Sequence, residues 1–526
     1  MAGSDVGTLA NRIRTIGMLG APLLAIAIYY LLPAADAAGN GGLSEAGRAT
    51  AAVGTLMAIW WLTEALPLAV TAMVPAVLFP ILGVLPIADA TTRYGHPLIG
   101  LFMGGFILGL AMERSGVHRR LALMTLRAVG TNPKMLVAGF MGATAVLSMF
   151  LSNTATTIML LPVAVSVIGL VRDQSEDEAG AKRWGACLLL AIAFAASIGG
   201  MGTLIGTPPN LLLAAYLSDA WNVEIGFAQW LLLGLPLVAV FLPLAWFVLV
   251  FVAFPVKLGS MESAGEVIRQ ELAAMGKPRW HEVSVFAVMN LVAAGWMFRG
   301  LIIDLTGLDG LTDTGVALTG ALLLFLIPID GKRRRFAMDW ETAVRLPWGV
   351  LLLFGGGLCL AAAISAHGVD DYVGGMFGGL EGLPLWGLVL VVAIVTQIMT
   401  HLTSNTAVAA AFLPVLGGAS LVLGVDGMYL FVAAALAASA AFMLPVATPP
   451  NAIVFGSGYV TMAQMVRAGA ILNVAAIVIV VAVVMLLRPV LPDLPERDGD
   501  EREPVAASVE MVPAPSTSQG VPPSRG

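Results

Sequence analysis

Apolar residues in this chain fall in long uncharged runs that recur from one end to the other, with no strand-like alternation. The runs occupy 16–33, 49–63, 66–86, 97–112, 135–171, 185–217, 226–256, 282–301, 314–329, 346–366, 382–425, 428–457 and 464–488. A helix needs about 20 apolar residues to cross the hydrocarbon core of a bilayer, so most of these runs predict one membrane helix each. Two of them, 135–171 and 382–425, are too long for a single crossing, and each carries a polar Ser-Asn-Thr triplet near its middle. Such a run suits a hairpin that enters and leaves on one side, or a pair of ordinary spans; length does not separate the two. Between the runs, 172–183 is a solvated connection and 258–280 a candidate surface helix. Residues 489–526 are rich in Pro, Ser and charge, lack apolar periodicity, and predict a disordered tail.

Basic residues test the sidedness of the resulting crossings. With both long runs taken as non-crossing hairpins, eleven crossings remain. Arg12, Arg14, Arg114, Arg119, Arg120, Arg127, Lys134, Arg172, Lys182, Arg183, Lys257, Arg269, Lys277, Arg279 and the run Lys332 to Arg335 then share one side. The other side receives mainly Arg48, Arg93, Arg299 and Arg488. The positive-inside rule makes the richer side cytoplasmic. The N-terminus is expected in the cytoplasm and the C-terminus outside, in a multi-pass protein of the cell inner membrane.

Composition adds exclusions. Of 526 residues, 58% are hydrophobic and only 11% charged, against about 25% charge in soluble proteins; the mean hydropathy is +0.90. The net charge of −6 owes part of its size to the acidic tail and says little about partners. No basic patch of the kind nucleic acid requires is present. Cys187 and Cys359 lie in apolar runs without CxxC spacing and read as buried thiols. The apolar run starting near Ile16 has no small-residue cleavage site and belongs to the first span.

The chemistry lies in a repeat. Ser152-Asn153-Thr154 is followed, nine residues after its serine, by Leu161-Pro162-Val163; Ser404-Asn405-Thr406 is followed at the same offset by Leu413-Pro414-Val415. Four residues before each serine stands a hydroxyl, Ser148 and Thr400. Downstream come Gly206-Thr207-Pro208-Pro209-Asn210 and Ala447-Thr448-Pro449-Pro450-Asn451. Five crossings separate the hairpins, and an odd number inverts the second copy relative to the first. Inverted repeats with broken helices form the midplane sites of many secondary transporters. Paired prolines supply the break, because they lack amide donors and disfavour helix at the preceding residue. Non-helical backbone at that depth survives only where it is buried or lines a polar cavity.

The chain then divides into a cytoplasmic N-terminus (1–15), first-repeat scaffold helices (16–134), a first transport region (135–256), a cytoplasmic connection (257–281), second-repeat scaffold helices (282–381), a second transport region (382–488) and the extracytoplasmic tail (489–526). Hydroxyls, amides and free carbonyls suit a small hard cation, and Ser, Thr and Asn can also donate to carboxylates. Neither motif contains Lys or Arg. A bound anion would need helix N-termini and co-bound cations to balance its charge.

On these motifs the chain resembles the divalent anion:sodium symporter family. The likeness extends to Trp60-Trp61-Leu62-Thr63-Glu64-Ala65-Leu66-Pro67, to Glu113-Arg114-Ser115-Gly116, and to the run from Ser439 through Asn451 to Val454. The resemblance implies an all-α polytopic fold of about eleven transmembrane helices plus two re-entrant hairpins in an inverted repeat. It also implies a homodimer and an elevator motion. Carried onto matching positions, a first sodium site would use Ser148, Ser152, Asn153 and the Gly206 carbonyl. A second would use Thr400, Ser404, Asn405 and the Ala447 carbonyl. Substrate carboxylates would meet Ser152, Asn153, Thr154, Ser404, Asn405 and Thr406, with Thr207, Pro208, Thr448 and Pro449 nearby. The expected activity is sodium-coupled symport of C4-dicarboxylates such as succinate, malate and fumarate, or of related di- and tricarboxylates, with sodium as coupling ion.

Other readings stay open: a sodium-independent dicarboxylate exchanger or a sulfate or citrate carrier on the same fold, and, from another class, an ion channel. An enzyme is not expected, since the motif regions offer neither a carboxylate pair nor a metal cluster. His401, three residues before Ser404, either tunes the substrate site or packs the hairpin. Glu64 suits an interfacial structural role. Gly199-Gly200-Met201-Gly202 and Gly355-Gly356-Gly357 sit in membrane runs and read as close helix packing.

Overall fold

A computed structural model describes residues 2–35, 42–259, 262–330, 335–380 and 382–495. The expected tail from residue 496 onward, and Lys332, Arg333 and Arg334 of the basic run, lie outside the described residues. Everything below concerns the unit Met1–Leu494.

Among the described residues, nine helices are long and apolar enough to cross a membrane. A tenth candidate is Trp280–Met297 continued by Arg299–Thr306 across a 77° bend. Shorter apolar helices include Pro133–Ser148, Asp313–Leu326 and Gly427–Ser439. Their outer faces are apolar. On the long helix Met462–Leu487, for example, Val474 and Val478 are exposed while Asn473, adjoining Val474, is buried, as a lipid-facing helix with one polar position turned inward would be.

Each long run resolves into two helices joined by its triplet: Pro133–Ser148 and Asn153–Gln174, then Leu385–Leu402 and Asn405–Val422. The run at 185–217 breaks after Glu178–Gly200 and resumes as Pro208–Ala220. The run at 428–457 breaks after Gly427–Ser439 and resumes as Pro449–Gly456. The segment 66–86 is likewise not one rod: Leu68–Thr71 and Val74–Ile81 are separate helices, and Pro75 opens the second.

The two copies interlock. Pro449–Gly456 packs on Asn153–Gln174 and Glu178–Gly200 of the first copy, while Pro208–Ala220 packs on Asn405–Val422 and Gly427–Ser439 of the second. The helix that follows each break is therefore packed against the other copy, and the first break, 201–207, is buried throughout.

Three features escape the apolar pattern. Val117–Val129 is an amphipathic helix that buries Val117, Ala122, Leu123 and Leu126, turns Arg119 and Arg127 outward, and keeps Arg120 largely covered in its pair with Glu282. The segment 258–280 does hold a helix, Glu262–Ala274, and it packs against Val117–Val129. Pro328–Asp330 and Arg335–Phe336 form a short antiparallel ribbon in the otherwise helical chain.

Ion pairs between distant segments fall into two sets. One joins Arg14 to Glu64, Arg114 to Asp339, Arg119 to Glu271 and Arg120 to Glu282. The other joins Arg93 to Asp219, Arg299 to Asp313, and Arg488 to Asp426 and Asp493. Glu64 also closes helix Glu45–Thr63 in a left-handed conformation (φ 47°), so its role here is structural.

Candidate functional site

Both hairpins turn the same way. Ser152 and Ser404 cap the second arms with closely similar extended backbone, φ −63° and ψ 142° against φ −64° and ψ 131°. Ser152 Oγ accepts the Ala155 amide at 3.1 Å, whereas the Ser404 side chain makes no capping bond. Ser152 is exposed, and Asn153, Thr154, Ser404 and Asn405 are half-buried, so the triplets present polar groups at an accessible tip.

Both breaks are built alike as well. Thr207 (φ −145°, ψ 142°) and Thr448 (φ −143°, ψ 147°) precede a helix that starts on proline, which has no amide to leave unpaired. The asparagine of each motif reaches back across its loop. Asn210 Nδ2 donates to the carbonyls of Gly200 (3.3 Å) and Thr203 (2.8 Å). Asn451 Nδ2 donates to those of Ala441 (3.0 Å) and Leu444 (3.1 Å). In both copies the acceptors lie ten and seven residues before the asparagine, so one device ties both breaks. Because these partners are carbonyls, each amide must present its nitrogen to them. The Oδ1 atoms of Asn210 and Asn451 and the Thr207 Oγ1 are buried without a hydrogen-bond partner. Oxygen acceptors thus remain spare at both breaks.

At the first copy, Ser148 Oγ stands 2.5 Å from Asn153 Oδ1 and 2.8 Å from the Ala196 carbonyl oxygen. A β-carbon placed on Gly200 would lie 2.7 Å from Asn153 Oδ1 and 3.1 Å from the Gly206 carbonyl oxygen. Only glycine allows this approach, and it gathers Ser148, Asn153 and Gly206. Ser152 adjoins them, with its hydroxyl committed to its own cap. At the second copy, Thr400 Oγ1 donates to the Ala438 carbonyl (2.6 Å) and Thr406 Oγ1 to Asn405 Oδ1 (3.1 Å). Ala447 is buried in the turn Pro445–Ala447, packed on the first hairpin arm. Pro208 is half-buried, and Pro449 is exposed beside buried Thr448.

Sequence motifs did not flag several residues that shape these loops. Asn210 and Asn451 were letters of a motif without a role. Trp230 donates its indole N–H to the Met201 carbonyl at 3.1 Å. Gln397 and Asn473 converge on His401 and the second break. The available signal was a lone amide in an otherwise apolar helix, a costly placement that demands a partner.

The groups that could hold a cation at the triplets and breaks are neutral oxygens. Among the described residues no group of three His, Cys, Asp or Glu side chains could hold a metal, and Cys187 and Cys359 are free and buried. Hard oxygen ligands of this kind suit an alkali cation and not a soft transition metal.

Apolar helices, two of them interrupted by non-helical polar backbone and each paired with a polar hairpin, define a multi-pass membrane transporter. The chain belongs to the sodium:sulfate symporter family, whose transmembrane region matches residues 15–492. It is 38% identical over 479 residues to the sodium-dependent dicarboxylate transporter SdcS of Staphylococcus saprophyticus subsp. saprophyticus, covering 90% of this chain and 91% of that protein. It is 37% identical over 483 residues to SdcS of Staphylococcus aureus, with the same shares covered. Among solved structures, the Alcanivorax borkumensis YdaH transporter aligns with a TM-score of 0.57 at 14% identity, over 92% of this chain and 100% of that one, a likeness of fold. These relatives are named as transporters and not as enzymes, in keeping with the resemblance read from the motifs.

Proposed function

We propose that this protein is a secondary active transporter that carries C4-dicarboxylates, or related di- and tricarboxylates, across the cell inner membrane together with sodium. The observation that carries this reading is the duplication of one neutral-oxygen site: two Ser-Asn-Thr triplets at turns of closely similar backbone, and two breaks whose loops are tied by asparagines at the same offsets. Its closest support outside the chain is the family, and relatives named for sodium-dependent dicarboxylate transport.

Sodium is a co-substrate here. Ser148, Ser152, Asn153 and the Gly206 carbonyl take one ion; Thr400, Ser404, Asn405 and the Ala447 carbonyl take the other. The dianion lies between the triplets, near Thr207, Pro208, Thr448 and Pro449. No Lys or Arg belongs to either motif, so a dianion entering alone would be a buried charge without compensation, costly by several kcal/mol at least. Cations bound first supply that compensation, and coupling follows from this electrostatic requirement.

The two sets of ion pairs support the two-sided arrangement. Each pair joins groups that the eleven-crossing model places on one side. In this reading the Arg120 side faces the cytoplasm, the Arg488 side faces outward, and the two copies form an inverted repeat. The interlocked breaks and hairpins would move as one body, elevator fashion, in each protomer of a homodimer.

Uptake of labelled succinate into proteoliposomes, with and without an inward sodium gradient, tests the proposal. Sodium should stimulate uptake strongly. Uptake indifferent to sodium but accelerated by internal dicarboxylate would overturn symport in favour of exchange. Asn153→Ala and Asn405→Ala should each abolish sodium-driven uptake while the protein still reaches the membrane.

A further inference from the structure

The two breaks share their asparagine ties, yet the elements behind them differ. Behind the first stands Trp230, bonded to the Met201 carbonyl at 3.1 Å. The equivalent place in the second copy, nine residues before the motif asparagine, is Phe442, and its amide donates to Asn473 Oδ1 at 3.2 Å. Asn473 lies on Met462–Leu487, 6% exposed, in an otherwise apolar stretch of that helix.

Asn473 does more than hold Phe442. Its Nδ2 donates to His401 Nε2 at 2.7 Å, and its backbone carbonyl accepts from Gln397 Nε2 at 3.2 Å. Gln397 Nε2 also reaches the Ala440 carbonyl at 3.1 Å. His401 Nδ1 donates to the Gln397 backbone carbonyl at 2.5 Å, and His401 Nε2 faces the Met443 amide at 3.5 Å. The partners fix the arrangement. A carbonyl opposite Nδ1 requires a proton there, which leaves Nε2 as the acceptor for Asn473. The Phe442 amide requires Oδ1 on its side, which turns Nδ2 toward the imidazole. Each polar atom has one consistent role, and the cluster joins three pieces: the first arm of the second hairpin, the break loop at 440–443, and the last long helix.

We propose that Asn473, acting through His401 and Gln397, is a positioning residue for the second cation set, holding Thr400, Ser404 and Asn405 in register with the loop that carries Ala447. This rests on the site reading given under Proposed function. Thr400 immediately precedes His401 in the chain, and Ala447 follows Met443 by four residues, so loosening the cluster shifts both sides of the site. The first copy has Met149 at the position equivalent to His401; its carbonyl accepts the Thr203 hydroxyl. The two sites are held by different means, and the second is hydrogen-bonded directly to the last long helix through Asn473.

The test is the sodium activation curve of dicarboxylate uptake in proteoliposomes containing the full chain. Asn473→Leu strands the Phe442 amide and His401 Nε2, and such a loss of buried partners is expected to raise the sodium half-saturation roughly tenfold. The rate at saturating sodium and the dicarboxylate KM measured there should stay within about twofold, which separates positioning from general damage. Asn473→Asp keeps an acceptor for Phe442 and loses the donor to His401; it should shift the curve by less, roughly threefold. It also serves if Asn473→Leu fails to reach the membrane. A wild-type sodium half-saturation in either variant overturns the proposal. So does a fall in maximal rate with no movement of the curve. Asn405→Ala, measured alongside an Asn473 variant with a wild-type curve, keeps the two ideas apart: if it retains uptake with an unchanged sodium curve, the site reading itself fails, and if it abolishes sodium-driven uptake, only the role of Asn473 is lost.

Discussion

Replacing Gly200 by alanine probes the contact on which the first cation set is built. The new β-carbon would stand 2.7 Å from Asn153 Oδ1, 3.1 Å from its Nδ2 and 3.1 Å from the Gly206 carbonyl oxygen. Non-bonded heavy atoms settle at about 3.5 Å or beyond, so the Asn153 amide has to retreat by about 0.8 Å. Metal–ligand distances tolerate about 0.2 Å, so a retreat of that size removes Asn153 from an ion held by Ser148 and Gly206. Disturbing the support of a metal ligand costs roughly 10- to 100-fold in affinity, or about 1.4–2.8 kcal/mol. The sodium dependence of succinate uptake should therefore move to higher concentration by that factor. Gly142→Ala is the control: it lies in the first hairpin arm, where a β-carbon meets nothing within 4 Å, and its curve should match the wild type. An unshifted curve for Gly200→Ala, with protein levels equal, would refute the assignment of Asn153 and Gly206 to a common ion.

Two further expectations concern the ties. Asn210→Asp and Asn451→Asp keep shape but replace donors by acceptors that face carbonyls, so each should weaken sodium-driven uptake at least tenfold, measured as the initial rate at fixed sodium. Glu282→Gln leaves Arg120, whose side chain is 12% exposed, without its counter-charge. Breaking a buried pair costs roughly 3–5 kcal/mol, and a clear drop in melting temperature in detergent is expected; an unchanged melting curve would show that the pair is effectively solvated.

The helices were legible because crossing a bilayer demands uncharged length, and the breaks because Pro208-Pro209 and Pro449-Pro450 cannot continue a helix. The repeat showed which residues belong together. Val117–Val129 stayed hidden because its arginines interrupt the apolar count; its buried positions make sense against its neighbour Pro133–Ser148 and against helix Glu262–Ala274, more than a hundred residues away. The ribbon around Pro328 and Phe336 is too short to leave a pattern. The ligand letters of the motifs could be read, but the atoms that hold them could not. Asn473 lies 22 residues beyond Asn451, and nothing in that spacing announces that it meets His401 and Phe442. Likewise Gly200 reads as a packing glycine until its neighbour proves to be Asn153.

The interlocking of the two copies has a consequence for how the protein is made. The first hairpin and first break are synthesised long before residues 405–456, which cover them. During that interval the membrane must harbour a nascent chain whose polar triplet and broken backbone lack their lids. Such half-built intermediates are where folding of large chains goes astray. A ribosome that stops before Asn405 would leave helix Pro208–Ala220 without the helices Asn405–Val422 and Gly427–Ser439 that pack on it, a ready target for membrane quality control.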